Sequence, residues 1–213
     1  MVWRLQLLHF KGSLAVQLPG HPTGSGYSTI EDYAASVEEY IRKEAVKEPV
    51  LIGHSMGGGI AITLALANFK LAGLVLVGTG ARLRVHPALL SKVNENYEEA
   101  SKLIATWSVS PSSDPVIAER IAQELLRMNS QVTYGDFMAC DKFDRMNDVQ
   151  KITCKTLIVV GEDDRMTPVK YSQYLHQKIS GSKLVVIPGA GHSVMLEKHR
   201  MFNDAVGAFL DSL

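Results

Sequence analysis

Net charge, cysteine and long apolar runs are what this chain has least of, and each shortage removes a class of function. Its 213 residues carry 22 basic and 22 acidic side chains, a formal charge of zero. No basic stripe breaks that balance, so neither nucleic acid nor an anionic membrane surface is an expected partner. The longest apolar stretch, residues 71–78, falls far short of the roughly 20 residues a bilayer span requires and reads as a buried parallel strand. Two cysteines, Cys140 and Cys154, have neither metal-ligand nor redox spacing, which points to a reducing compartment with the cytoplasm as default. A secretory leader is not evident, an observation that carries weight only if nothing precedes Met1. The glycine-rich turns at 19–26 and 78–80 lack a P-loop lysine and the full dinucleotide fingerprint, and no metal-ligand cluster stands out. No cofactor and no metal are therefore implied. At 46% hydrophobic residues the chain can bury one sizeable core with an attached lid, and a second full domain is not expected. The oligomeric state is left open.

What is present is concentrated around one serine. The apolar residues Val50, Leu51 and Ile52 run into Gly53-His54-Ser55-Met56-Gly57, a G-x-S-x-G, and then into the apolar helical stretch 60–67. A hydroxyl that attacks a carbonyl must stand proud of its backbone, which requires a sharp, strained turn from strand to helix. Gly53 and Gly57 are expected to remove the Cβ atoms that would collide as the helix folds back over the strand. Such a turn leaves unpaired N–H groups at the helix start, so the amide of Met56 is the expected oxyanion donor. A bare G-x-S-x-G also occurs as a plain turn; the flanking strand and helix favour Ser55 as a nucleophile.

Serine at neutral pH is a poor nucleophile, so this reading demands a base and an orienting acid downstream, in the order Ser, Asp or Glu, His. The apolar run 156–160 ends in Gly161-Glu162-Asp163-Asp164, and the run 183–187 ends in Pro188-Gly189-Ala190-Gly191-His192. Three strand ends thus present the three groups, at the sheet edge where open α/β sheets bind ligands. Asp164 could instead cap a helix starting near Thr167, with Asp163 and Glu162 as substitutes for the acid, and His192 could be a solvated loop residue. His21, His54 and His176 lack comparable support. His54 is expected to point to the opposite side of the strand from its neighbours and to pack there.

These motifs together resemble the α/β-hydrolase superfamily, in its branch of small esterase-like and lipase-like serine hydrolases. The resemblance covers residues 14–22, where the family usually shows D-x-P-G-H-G and this chain reads Leu-Ala-Val-Gln-Leu-Pro-Gly-His-Pro, the elbow at 53–57, and residues 161–168 and 189–192. It implies Ser55 as nucleophile, Asp164 as acid in the fourth place of G-x-x-D, and His192 as base. Related dehalogenases and epoxide hydrolases carry an aspartate nucleophile, against which Ser55 argues. By the same resemblance a hairpin and a strand ending in a His-Gly turn, about 25 residues, would precede Trp3. Either the frame begins at an internal methionine, or this is a shortened hydrolase whose strand near Ala15 slides over to pair with the elbow strand. Loss of the oxyanion donor in that turn would remove about 3–4 kcal/mol of transition-state stabilisation and weaken activity.

Along the chain, a helix is expected from a Ser28/Glu31 capping box to about Ala45, with Ile30, Tyr33, Val37, Tyr40 and Ile41 on one face. Strand and helix then alternate to Val77, implying a mostly parallel α/β sheet flanked by helices. From about 82 to 133 only helical spacing recurs, so these residues are expected to form an inserted helical cap on a core made of 1–81 and 134–213. Asp114 and Pro115 open one of its helices, and a short helix is expected around Tyr134, Phe137 and Met138. Trp107, Met128, Phe137, Met138 and Phe143 are candidates for a water-excluding lining. A last helix is expected from about Met195 to Leu210. The chemistry these features favour is hydrolysis of small to medium apolar carboxylic esters through an acyl-enzyme on Ser55. The alternatives are a C–C bond or lactone hydrolase on the same triad, and a catalytically weakened binding protein of this fold.

Overall fold

A computed structural model describes residues 2–213. Among them, β1 (Val50–His54), β2 (Gly73–Val77), β3 (Thr156–Gly161) and β4 (Lys183–Ile187) form one sheet in the order 1-2-3-4, every pair parallel. β2 and β3 are buried along their whole length and rich in valine, leucine and isoleucine, as strands covered on both faces require. Their side chains alternate between two cores. Leu74, Leu76 and Ile158 join the cluster under α2 (Ile30–Lys43), α3 (Met56–Leu66) and α8 (Val169–Lys178). Val75, Val77, Leu157 and Val159 join the one under α9 (Val194–Glu197) and α10 (His199–Leu210), with Trp3 beside α1 (Arg4–His9) at its margin. Fully burying each such side chain is worth about 1.5–3 kcal/mol, so the two faces fix the register of the sheet.

Helix α2 has the expected buried face of Ile30, Tyr33, Val37 and Ile41, joined by Ala34, while Tyr40, expected on it too, is only half-buried. Its cap lies one residue later than the Ser28/Glu31 box: the Thr29 hydroxyl accepts from the Asp32 N–H at 3.2 Å, and Thr29 has the extended backbone a cap needs. The strand expected near Ala15 does not form. Residues 13–18 have no ladder partner, and Val16 and Leu18 pack against the helix-covered core instead, which leaves β1 as an edge of the sheet paired only with β2. The last helix is broken at Lys198 (φ −127°, ψ 47°), next to Glu197, whose carboxylate is drawn back toward Gly191 and Ser110.

Between β2 and β3 stand four helices: α4 (Pro87–Glu95), α5 (Tyr97–Trp107), α6 (Pro115–Leu126) and α7 (Ser130–Lys142). Asn96 ends α4 and caps α5 by accepting from Glu99 N–H, and Asp114 caps α6 ahead of Pro115. Leu89, Val93, Ala100 and Ile104 give these helices a core of their own, with Trp107 and Phe137 packed on it. The chain leaves and re-enters the sheet side by side: Arg82 bridges Asp144, and Arg145 N–H donates to the Ala81 carbonyl at 2.7 Å. Helix α7 is continuous through position 134 and is longer than the short helix expected there. Both cysteines are unpaired, and no helix among the described residues is long and apolar enough to cross a membrane.

Candidate active site

β1 runs straight into α3 through Ser55, whose backbone sits at φ 53°, ψ −117°. A non-glycine residue there is strained, and the surrounding bonds hold it in place. Ser55 N–H donates to the Val77 carbonyl at 3.0 Å, and its own carbonyl accepts from Gly58 N–H at 2.9 Å and from the Thr79 hydroxyl at 2.8 Å. The crowding expected at Gly53 is present, since a Cβ there would lie 2.2 Å from the Gly57 carbonyl oxygen. At Gly57 the expectation is corrected: its Cβ direction is open, and the second tight position is Gly58, where a Cβ would meet the Thr79 side chain at 2.5 Å. The helix leans on the β2 end through Gly58, one residue further along than the motif suggests. Met56 is the first residue of α3, where N–H groups have no intrahelical partner.

The loops after β3 and β4 bring Asp164 and His192 together. His192 Nδ1 lies 2.9 Å from Asp164 Oδ2 and 3.1 Å from Oδ1, and both side chains are almost wholly buried. A carboxylate only accepts, so Nδ1 carries the proton and Nε2 is left as the basic nitrogen. Asp164 also accepts from Met166 N–H at 2.9 Å, Thr167 N–H at 2.8 Å and the Thr167 hydroxyl at 2.8 Å. Burial by itself would raise this carboxyl; the facing His192 and the Thr167 donors outweigh it and hold Asp164 below the usual carboxylate range. Asp164 is no helix cap, because α8 starts only at Val169 after Pro168. The alternative acid Asp163 is turned the other way and accepts from the Ser110 hydroxyl at 2.5 Å.

Ser55 reaches the same edge from β1, with β2 standing between that strand and β3. His54, the residue before Ser55, sets its ring against that of His192, centroids 4.5 Å apart and planes tilted by 51°, and its Nε2 lies 2.9 Å from the His192 carbonyl oxygen. Burial first, and the adjacent His192 second, push His54 down to about 3, so it is neutral at physiological pH. The expectation that His54 merely packs is therefore too weak. Among the described residues neither the Ser55 hydroxyl nor His192 Nε2 has a hydrogen-bond partner: the His192–Asp164 bond is made, and a bond between Ser55 and His192 is not. Catalytic hydrogen bonds commonly tighten only around substrate.

Other side chains that hold the site escaped the sequence reading. Thr79 fixes the elbow from the loop after β2, and Thr167 lies 3.2 Å from His192 Nδ1 as well as on Asp164. Glu197 accepts from Gly191 N–H and from Ser110 N–H, joining the histidine loop to the inserted helices. Arg165 donates to the Thr106 and Val109 carbonyls from the aspartate loop. Glu197 ends a short helix and the others lie in loops, and none has a local signature beyond being polar. Of the proposed lining, Trp107, Met128, Phe137 and Met138 are half-buried, whereas Phe143 is buried in the main core against Leu83 and Gly59. No group of three or more metal-ligating side chains occurs among the described residues.

With the geometry in place, comparison with known proteins agrees on the family. The model of the alpha/beta hydrolase family matches residues 1–205. A putative esterase/lipase from Mycoplasma pneumoniae is 26% identical over 93% of this chain and 78% of its own length. A pimeloyl-[acyl-carrier protein] methyl ester esterase from Neisseria meningitidis is 28% identical over 88% of this chain and 78% of its own. The solved structure of a thermophilic esterase superimposes with a TM-score of 0.89 at 38% identity, covering 99% of this chain and 84% of that one. A match across nearly the whole sequence, on a parallel sheet whose strand ends carry an elbow serine and an Asp–His pair, places this chain in the α/β hydrolase family.

Proposed function

We propose that the protein is a serine hydrolase acting on small to medium apolar carboxylic esters, with Ser55 as nucleophile, His192 as base and Asp164 as the orienting acid. The observation that carries this reading is the His192–Asp164 pair, set beside a positive-φ serine at the head of α3. With Nδ1 committed to Asp164, His192 Nε2 takes the Ser55 proton as the oxygen attacks the ester carbonyl. Charge develops on the former carbonyl oxygen, where the Met56 N–H is the donor. The imidazolium then passes its proton to the departing alkoxide, and water, deprotonated by the same nitrogen, releases the acid from Ser55. The inserted helices at 82–133 act as a cap that narrows the approach and excludes water, a role supported by the bonds that tie Thr106, Val109 and Ser110 to Arg165 and Glu197. Relatives named esterases and lipases support ester hydrolysis within the family's range. A fluorophosphonate probe tests the nucleophile directly: labelling at Ser55 together with turnover of p-nitrophenyl acetate or butyrate is expected. Well-folded protein that neither labels nor turns over would refute the proposal, and labelling with preference for lactones would move the substrate class.

A further inference from the structure

His54 is the last residue of β1, and its ring meets those of Trp3 and His192. Its Nε2 is 2.9 Å from the His192 carbonyl oxygen, its ring lies 4.5 Å from the His192 ring at 51°, and Trp3 closes its far side edge-on at 6.4 Å. A carbonyl oxygen only accepts, so His54 must carry its proton on Nε2. That single bond ties β1, which Ser55 directly follows, to the main chain of His192, 138 residues away in sequence. No other hydrogen bond among the described residues links the side chain of β1's last residue to that loop.

We infer that His54 is a positioning residue for His192: by holding the His192 carbonyl and laying an uncharged ring against its imidazole, it sets the distance between the base and the Ser55 hydroxyl. The inference rests on the proposed hydrolase reading, in which His192 is the base. A charged neighbour at 4.5 Å would oppose protonation of His192 as it accepts the serine proton; a neutral ring does not. The burial that keeps His54 uncharged therefore serves the step in which His192 gains charge.

Two variants separate the bond from the bulk. His54→Phe keeps a flat ring and removes the donor, whereas His54→Gln keeps an N–H donor near the Nε2 position. Thermal melts establish that each is folded. The phenylalanine variant is expected to lose about 10- to 100-fold in kcat on p-nitrophenyl butyrate, the scale of a small misplacement at a reacting centre. KM should stay within about twofold, because substrate binding is not what the bond serves. His54→Gln should recover most of the loss. A second readout does not depend on turnover: the downfield proton NMR signal of His192 Nδ1–H should broaden in the phenylalanine variant and persist in the glutamine variant. Folded His54→Phe with wild-type kcat and an unchanged signal, or a glutamine variant no better than phenylalanine, overturns the inference. If the wild type neither labels at Ser55 nor hydrolyses esters, the functional reading falls, and the NMR comparison still decides whether His54 positions His192. Should the phenylalanine variant not fold, nitrogen NMR of the wild-type histidines decides instead. A neutral His54 protonated at Nε2 supports the assignment; one protonated at Nδ1, or titrating near its ordinary value of 6.5, refutes it.

Discussion

At the scale of single residues, the site is a set of committed protons. Asp164 fixes the imidazole by accepting from its Nδ1, so Asp164→Asn, which presents an amide donor there or turns away, should reverse the tautomer while leaving the bonds from Met166 and Thr167 to its remaining oxygen. A loss of about 10³- to 10⁴-fold in kcat is expected on p-nitrophenyl esters with little change in melting temperature. A decrease below tenfold would show that His192 is oriented by other contacts. Titration has its own consequence for stability. His54 is held at about 3 when folded against 6.5 when free, so the unfolded chain binds a proton that the folded one refuses as pH falls below 6.5. Asp164, held below the carboxylate range, adds stability at neutral pH that is lost as pH falls through its folded value. His21 has the opposite sign: burial lowers it, but the bond and charge of Asp136 raise it more, so its contribution is full below 6.5 and fades as pH rises through its raised value. Melting temperature should therefore fall as pH drops from 6.5 toward 4, and His54→Gln should flatten that slope. An equal slope in both proteins would contradict the assignment.

The decisive features of single elements are close approaches of backbone. At Gly53 a methyl group would strike the Gly57 carbonyl at 2.2 Å, with no flexible side chain to give way. Gly53→Ala should cost about 2 kcal/mol or more in urea unfolding and abolish probe labelling at Ser55, as expected for displaced backbone at a strained turn. Gly57→Ala meets open space inside α3 and should stabilise by about 0.5–1 kcal/mol, the ordinary gain of alanine over glycine in a helix. The pair separates the packing seen here from the motif taken as a pattern. If both variants are equally destabilised, the elbow is not supported at Gly53 alone.

Across the whole molecule, helices α4 to α7 and their connections are fastened to the rest of the protein at two points. At one, Asp136 of α7 accepts from the Tyr33 hydroxyl at 2.6 Å and meets His21 Nε2 at 2.9 Å. At the other, the Glu197 carboxylate gathers Gly191 N–H, Ser110 N–H and the Ser113 hydroxyl. Glu197→Ala strands these donors and should cost about 2–4 kcal/mol, since an unsatisfied group is dearer than an unmade bond. Hydrogen exchange at residues 108–113 and 190–193 should quicken together, because one side chain serves both segments. Faster exchange in only one of them would show that the two are not coupled through Glu197.

Local pattern determined much of this protein. The apolar runs 50–52, 73–77, 156–160 and 183–187 dictate strands wherever a sheet is available, and their order with intervening helices dictates a parallel one. Glycine around Ser55 and the chain order of Ser55, Asp164 and His192 made the candidate relay legible, because the strand that delivers each residue lies immediately before it. Pairing, by contrast, is a property of two segments, so residues 13–18 could not be known to lack a ladder until the sheet was assembled. The packing expected of His54 left out its hydrogen bond for a related reason: alternation along a strand says which side a side chain takes, but only the crossing of the β4 loop decides what waits there. Glu197 and Thr79 act on backbone groups of other loops, Thr167 on the side chains of Asp164 and His192, and hydrogen bonds of that kind leave no period to read. Tertiary structure therefore settled which polar groups meet, for the physical reason that such contacts depend on where distant loops cross and not on the residues beside them.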